Sequence, residues 1–185
     1  MTTEQYNKSL ETGELQLSLS GKLSHFGIVI FLCFISIALP AIHLFFLIKG
    51  NDTSYKEGEI WFTVVPGLLA LIFYKLQKVR LKYHEVNTTL NHDELMKLIE
   101  QVAKALKWSK IHSDKKFYIA KTDPGFFSGS WGEQITILFD RNRVLINSIC
   151  DLDKKSSVVS MGGNRENVNT FIESIEKADL NSNAV

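Results

Sequence analysis

Residues 162–165, Gly-Gly-Asn-Arg, combine types and spacing that suit anion chemistry. Gly162 and Gly163 precede a helical pattern, so free backbone N–H groups and the helix dipole would meet an incoming oxygen anion. Asn164 adds an amide and Arg165 a full positive charge. A phosphate or another acidic ligand is the expected guest. The run lacks the Gly-Lys-Ser/Thr ending of a nucleotide-binding phosphate loop. The plainer alternative is that the glycines serve the turn alone. A second basic group, Lys75, Lys78, Arg80 and Lys82, follows an apolar run. It could rest on anionic lipid head groups or simply fix topology.

The most unusual local composition is DPGFFSGSWGE, residues 123–133. Phe126, Phe127 and Trp131 stand among glycines, with Glu133 the acidic group beside Trp131. Aromatic side chains on a connecting segment often meet a partner, and these four residues form the expected partner-binding group. In the competing expectation the rings fold back onto an open sheet face. Trp131 is expected to be partly core, with Phe126 or Phe127 exposed.

Other chemistry finds little support. The five histidines, His25, His43, His84, His92 and His112, form no ligand pair at helical spacing and join no cysteine pair, so no metal site is expected. Cys33 lies in an apolar run and Cys150 ends a strand pattern; both read as reduced, buried thiols. Asp151 and Asp153 lack the remainder of a calcium loop, and no serine sits in a Gly-x-Ser-x-Gly elbow. His43 is expected to hydrogen-bond to a neighbouring helix. No cofactor and no enzymatic activity are expected. A net charge of +1 gives no reason to expect nucleic acid.

These groups must be positioned by two kinds of element. Residues 26–48 contain no Asp, Glu, Lys or Arg, and residues 60–76 form a shorter apolar run with Trp61 and Tyr74 near its ends. About 20 apolar residues in a helix span the hydrocarbon layer. The spacing predicts a transmembrane hairpin over 25–76, kinked at Pro40, where a neighbour or Ser36 would satisfy freed carbonyls. Lysines and arginines after the second run outnumber Lys49 and Lys56 in the connection, so both ends are expected in the cytoplasm. A bacterial inner membrane is the expected location.

The remaining chain reads as an α+β domain over 91–178: helix, antiparallel four-stranded meander, helix. Asn91 and Glu94 form a capping-box signal, followed by an apolar stripe from Leu95 to Leu106 and an end near Trp108. Strands are predicted at 116–122, 134–140, 143–150 and 156–160, with a turn at 140–143. A last helix starts near Asn164, and both helices are predicted on one face of the sheet. Residues 1–24 form an N-terminal segment in which Leu15, Leu17 and Leu19 alternate; it could add a strand, stay disordered or lie on the membrane. Residues 77–90 are a linker that fits helix or strand, and 179–185 a disordered tail. The functional expectation is a non-enzymatic, membrane-anchored interaction or regulatory protein. Its partners are the lipid bilayer and a protein partner or a second copy of itself. A sensor of a lipid head group or anionic small ligand, or a small membrane-bound enzyme, is the alternative.

Overall fold

The computed structural model describes residues 1–51, 56–123, 131–154, 156–158 and 160–182. Among them are six helices, α1 (Thr3–Thr12), α2 (Leu19–His25), α3 (Gly27–Ile48), α4 (Trp61–Arg80), α5 (His92–Ala105) and α6 (Gly163–Ser182). Five strands, β1 (His84–Asn87), β2 (Trp108–Ser113), β3 (Phe117–Thr122), β4 (Glu133–Asp140) and β5 (Arg143–Cys150), form one antiparallel sheet. Its order is β1-β5-β4-β3-β2, so the fold is α+β. Helix α5 carries the chain from one sheet edge to the other.

Two helices are long and apolar enough to cross a membrane, α3 and α4. They run antiparallel: Phe26 packs on Tyr74, the Ser36 hydroxyl donates to the Thr63 carbonyl at 2.7 Å, and His43 lies 3.5 Å from Glu59. Gly67 allows this approach, since a Cβ there would come within 2.9 Å of Ser36 Oγ. Ser36 thus reaches across to α4. His43 finds an acidic partner, Glu59, just before α4 and outside both apolar runs. At the other end His25 and Gln77 bond reciprocally: Gln77 Nε2 donates to the His25 carbonyl at 2.6 Å, and the His25 ring meets the Gln77 carbonyl at 3.0 Å.

The helix predicted at Asn91 forms as expected. Asn91 Oδ1 accepts from the Glu94 N–H and Glu94 from the Asn91 N–H. It ends at Ala105, earlier than predicted, because Lys107 adopts a left-handed φ of 56° and turns the chain into β2. Strand β2 escaped notice because it is an edge strand, exposed along most of its length and without apolar alternation. Strand β1 resolves the linker: helix to Arg80, then strand. Two further corrections concern the C-terminal part. The described residues of 156–160 form no strand. Helix α6 runs to Ser182, its last turn held by Asp179, which accepts from the Thr89 N–H and hydroxyl.

One sheet face buries Leu95, Ile99 and Val102 of α5 and Val168, Phe171 and Ile175 of α6 against Tyr118, Ile135, Ile137 and Ile146. The opposite face is covered by the N-terminal segment. Tyr6, Leu15 and Leu17 pack on Tyr83, Phe117, Leu138, Leu145 and Ile149. The alternating leucines are therefore not an added strand. Glu14 makes a single bridge to Lys82, and Leu19 is exposed at the start of α2. The segment is used as a lid on a sheet face, which also needs alternating apolar residues.

Candidate functional site

The register of β1 against β5 creates the site. Strand β1 pairs with β5 only as far as His84 opposite Ile146. Beyond that point the end of α4 lies beside β5. Asn147, 2% exposed on β5, donates from Nδ2 to the Arg80 carbonyl at 2.8 Å and the Lys82 carbonyl at 2.9 Å. A buried asparagine thus fixes the backbone that carries two cationic side chains. The Arg80 guanidinium is itself anchored by donation to the Val158 carbonyl.

Across from this backbone stands the first part of α6. A cleft of about 350 Å³ lies between them, lined by Val79, Arg80, Lys82, His84, Asn147, Ser148, Asn164, Arg165, Val168 and Asn169. Two arginines, a lysine and a histidine face it, and no carboxylate is among its lining residues. No carboxylate of the lining offsets these charges, and arginine forks suit oxygen anions.

Beneath the cleft runs a hydrogen-bond chain of fixed direction. Trp108 Nε1 can only donate, and donates to Asn167 Oδ1 at 2.8 Å. Asn167 Nδ2 must then donate to Ser148 Oγ, at 3.2 Å, and Ser148 to Asn164 Oδ1, at 3.0 Å. The Ser148 hydroxyl is thus committed to an amide and has no base to activate it. Burial pushes the Cys150 thiol above the ordinary cysteine range, although the charge of Arg80 and a hydrogen bond from Asn164 favour the thiolate. A protonated, half-buried thiol is a poor nucleophile and a poor ligand. The site holds charge and amides but no assembled nucleophile.

The sequence-predicted groups fare differently. Arg80 and Lys82 from one expected group and Asn164 and Arg165 from another meet in this one cleft. Lys75 and Lys78 do not line it; Lys78 lines a separate cleft with Glu14, Lys22 and Tyr74. Gly162 and Gly163 do not line it either. A Cβ at Gly163 would lie 2.5 Å from Oε1 of Glu133, so the helix start is already faced by the chain's own carboxylate. Glu133 is 5% exposed, its N–H donating to Thr122 Oγ1 at 2.8 Å while its carboxylate accepts from the same hydroxyl. A buried carboxylate at a helix N-terminus is favoured by the dipole, and it turns Glu133 from a surface contact into an internal partner. Trp131, expected to be partly core, is 55% exposed. Phe126 and Phe127 lie outside the described residues. Asp151 and Asp153 hold the Lys121 ammonium where a cation was considered, Asp151 Oδ1 at 2.6 Å. Among the described residues no cluster of three or more metal-ligating side chains occurs.

Sequence reading missed His84, Asn147, Ser148 and Asn169. The signal for Asn147 was available, since an asparagine in an otherwise apolar strand needs hydrogen-bond partners. Comparison with family models, curated proteins and solved structures finds no match for this chain.

Proposed function

We propose that this chain is a non-enzymatic, membrane-anchored regulatory protein whose domain binds an anionic, phosphate-bearing group in the basic cleft. The observation that carries the reading is a cleft with Arg80, Lys82, His84 and Arg165 and no lining carboxylate. Helices α3 and α4 supply the anchor as a transmembrane hairpin. Their apolar side chains are largely exposed, which in water would be unfavourable and in lipid is not. The start of α3 and the end of α4 both meet the same domain, which is built from residues on both sides of the hairpin in sequence. Two crossings return the chain to its starting side, as that requires. The basic residues after α4 support a cytoplasmic side for the domain, in keeping with the expected bacterial inner membrane.

A second reading is favoured by Trp131, a large ring 55% exposed just before β4. Here the domain docks a protein partner, or a second copy, through the 123–133 segment. The test of the first reading is a thermal melt of the full chain in detergent. Inorganic phosphate at constant ionic strength should raise the midpoint by mass action, and Arg165→Gln should abolish the rise. An equal rise in that variant would contradict the reading.

A further inference from the structure

We infer that the occupant of the basic cleft is the phosphate of an anionic phospholipid taken from the bilayer that holds the hairpin, an inference that rests on the function proposed above. The wall of the cleft separates a lipid from a soluble phosphate. Along α4, Val65, Leu68, Ile72, Leu76 and Val79 recur at helical spacing, and all are exposed. Val79, 61% exposed, is both the last member of that stripe and part of the cleft lining. One apolar track therefore follows the helix and ends in a cationic site. A soluble phosphate gains nothing from the track. An acyl chain covers it, and its phosphate arrives beside Arg80 and Lys82.

The depth agrees. Arg80 lies six residues beyond Tyr74, about 9 Å along the helix. The head-group layer on each side of the hydrocarbon is roughly 5–8 Å thick. The rise from Tyr74 to Arg80 slightly exceeds that thickness, so a lipid phosphate is met at the outer edge of the head-group layer, by the side chains of Arg80 and Lys82 reaching back toward it. The cleft is also pre-organised for it. Asn147 fixes the backbone of Arg80 and Lys82, and the Val158 carbonyl anchors the Arg80 guanidinium, so these parts are ordered before binding.

The experiment uses the full chain, reconstituted with equal amounts of phosphatidylglycerol and phosphatidylcholine and re-extracted in mild detergent. Native mass spectrometry reads the retained lipid. A parallel titration with glycerol 3-phosphate in detergent reads binding of the free anion by NMR. The variants are Lys82→Gln with Arg165→Gln, both exposed side chains, and separately Leu76→Gln, on the track but not among the residues lining the cleft. Retention of phosphatidylglycerol over phosphatidylcholine is expected, falling on the order of tenfold or more in the double variant. Leu76→Gln should lower lipid retention and leave glycerol 3-phosphate binding unchanged. Binding of glycerol 3-phosphate that depends on Lys82 and Arg165, with both lipids retained alike, would overturn the lipid and leave the anion-binding cleft standing. Binding of neither anion would overturn both.

Discussion

The hydroxyl of Tyr6 in α1 donates to the carbonyl oxygen of Phe139 in β4 at 2.6 Å, across 133 positions of sequence. The residues before the apolar helices and those after them thus share one core, in which Leu15 and Leu17 are 4% and 9% exposed.

Loss of the N-terminal segment should therefore unfold the sheet's second face. Leu15→Ala or Leu17→Ala should each cost about 2–5 kcal/mol, and Tyr6→Phe about 1 kcal/mol. Removing residues 2–18 should expose Leu138, Leu145 and Ile149 and abolish a cooperative melt of the domain. A truncated protein that melts like the full chain would contradict the shared core.

Both ends of the hairpin are proposed to face the cytoplasm. A cysteine at Asn51 should react with an impermeant thiol reagent applied to intact cells, and one at Lys110 should react only after lysis. Both variants are made with Cys33→Ser and Cys150→Ser, since both native cysteines are thiols and would otherwise label. The reverse pattern would invert the proposed topology.

Lys121 and its two carboxylates differ in how much they matter. Asp151 is 4% exposed, whereas the Asp153 side chain is 82% exposed. Lys121→Met strands a buried carboxylate and should cost about 3–5 kcal/mol. Asp153→Asn should cost under about 1 kcal/mol. Burial lowers the Lys121 pKa, but the hydrogen bonds and charges of Asp151 and Asp153 outweigh it, and the net shift is upward from 10.5. A raised folded value means that the pair's stabilisation is fully present below pH 10.5 and lost as pH rises through the folded value. Alkaline titration of the melt, with and without Lys121→Met, checks the sign.

Trp131 discriminates the docking reading. At 55% exposure, Trp131→Ala should shift stability far less than the roughly 3–5 kcal/mol of a buried aromatic truncation. If the segment docks a partner, the same change should abolish co-purification of that partner from native membranes. Unchanged co-purification would remove Trp131 from any docking surface.

Much of this arrangement was legible where local physics acts alone. The capping box at Asn91, the strands that became β3, β4 and β5, and the two apolar helices follow from periodicity and caps. Strand β2 was hidden because an exposed edge strand has no buried side to impose alternation. The role of Leu15 and Leu17 was hidden because a lid on a sheet face and an added strand share one pattern. The cleft was half legible. Arg80 and Arg165 were each singled out, yet they belong to elements far apart in sequence, and only the early end of β1 and the bonds of Asn147 bring them together. Glu133 illustrates the converse: the free helix start that recommended Gly162 and Gly163 to an external anion is faced by a carboxylate of the chain itself.

The most direct test of the account is NMR of the side-chain amides of Asn147, Asn164 and Asn169, all of which line the cleft. Titration of the full chain in detergent with inorganic phosphate should shift these signals together, with one dissociation constant that weakens as salt is added. In Lys82→Gln with Arg165→Gln the shifts should vanish while the melt is retained. Phosphate shifts confined to the separate cleft at Thr89, His92 and Arg141, or amide signals at Asn147 and Asn164 that do not move, would contradict it.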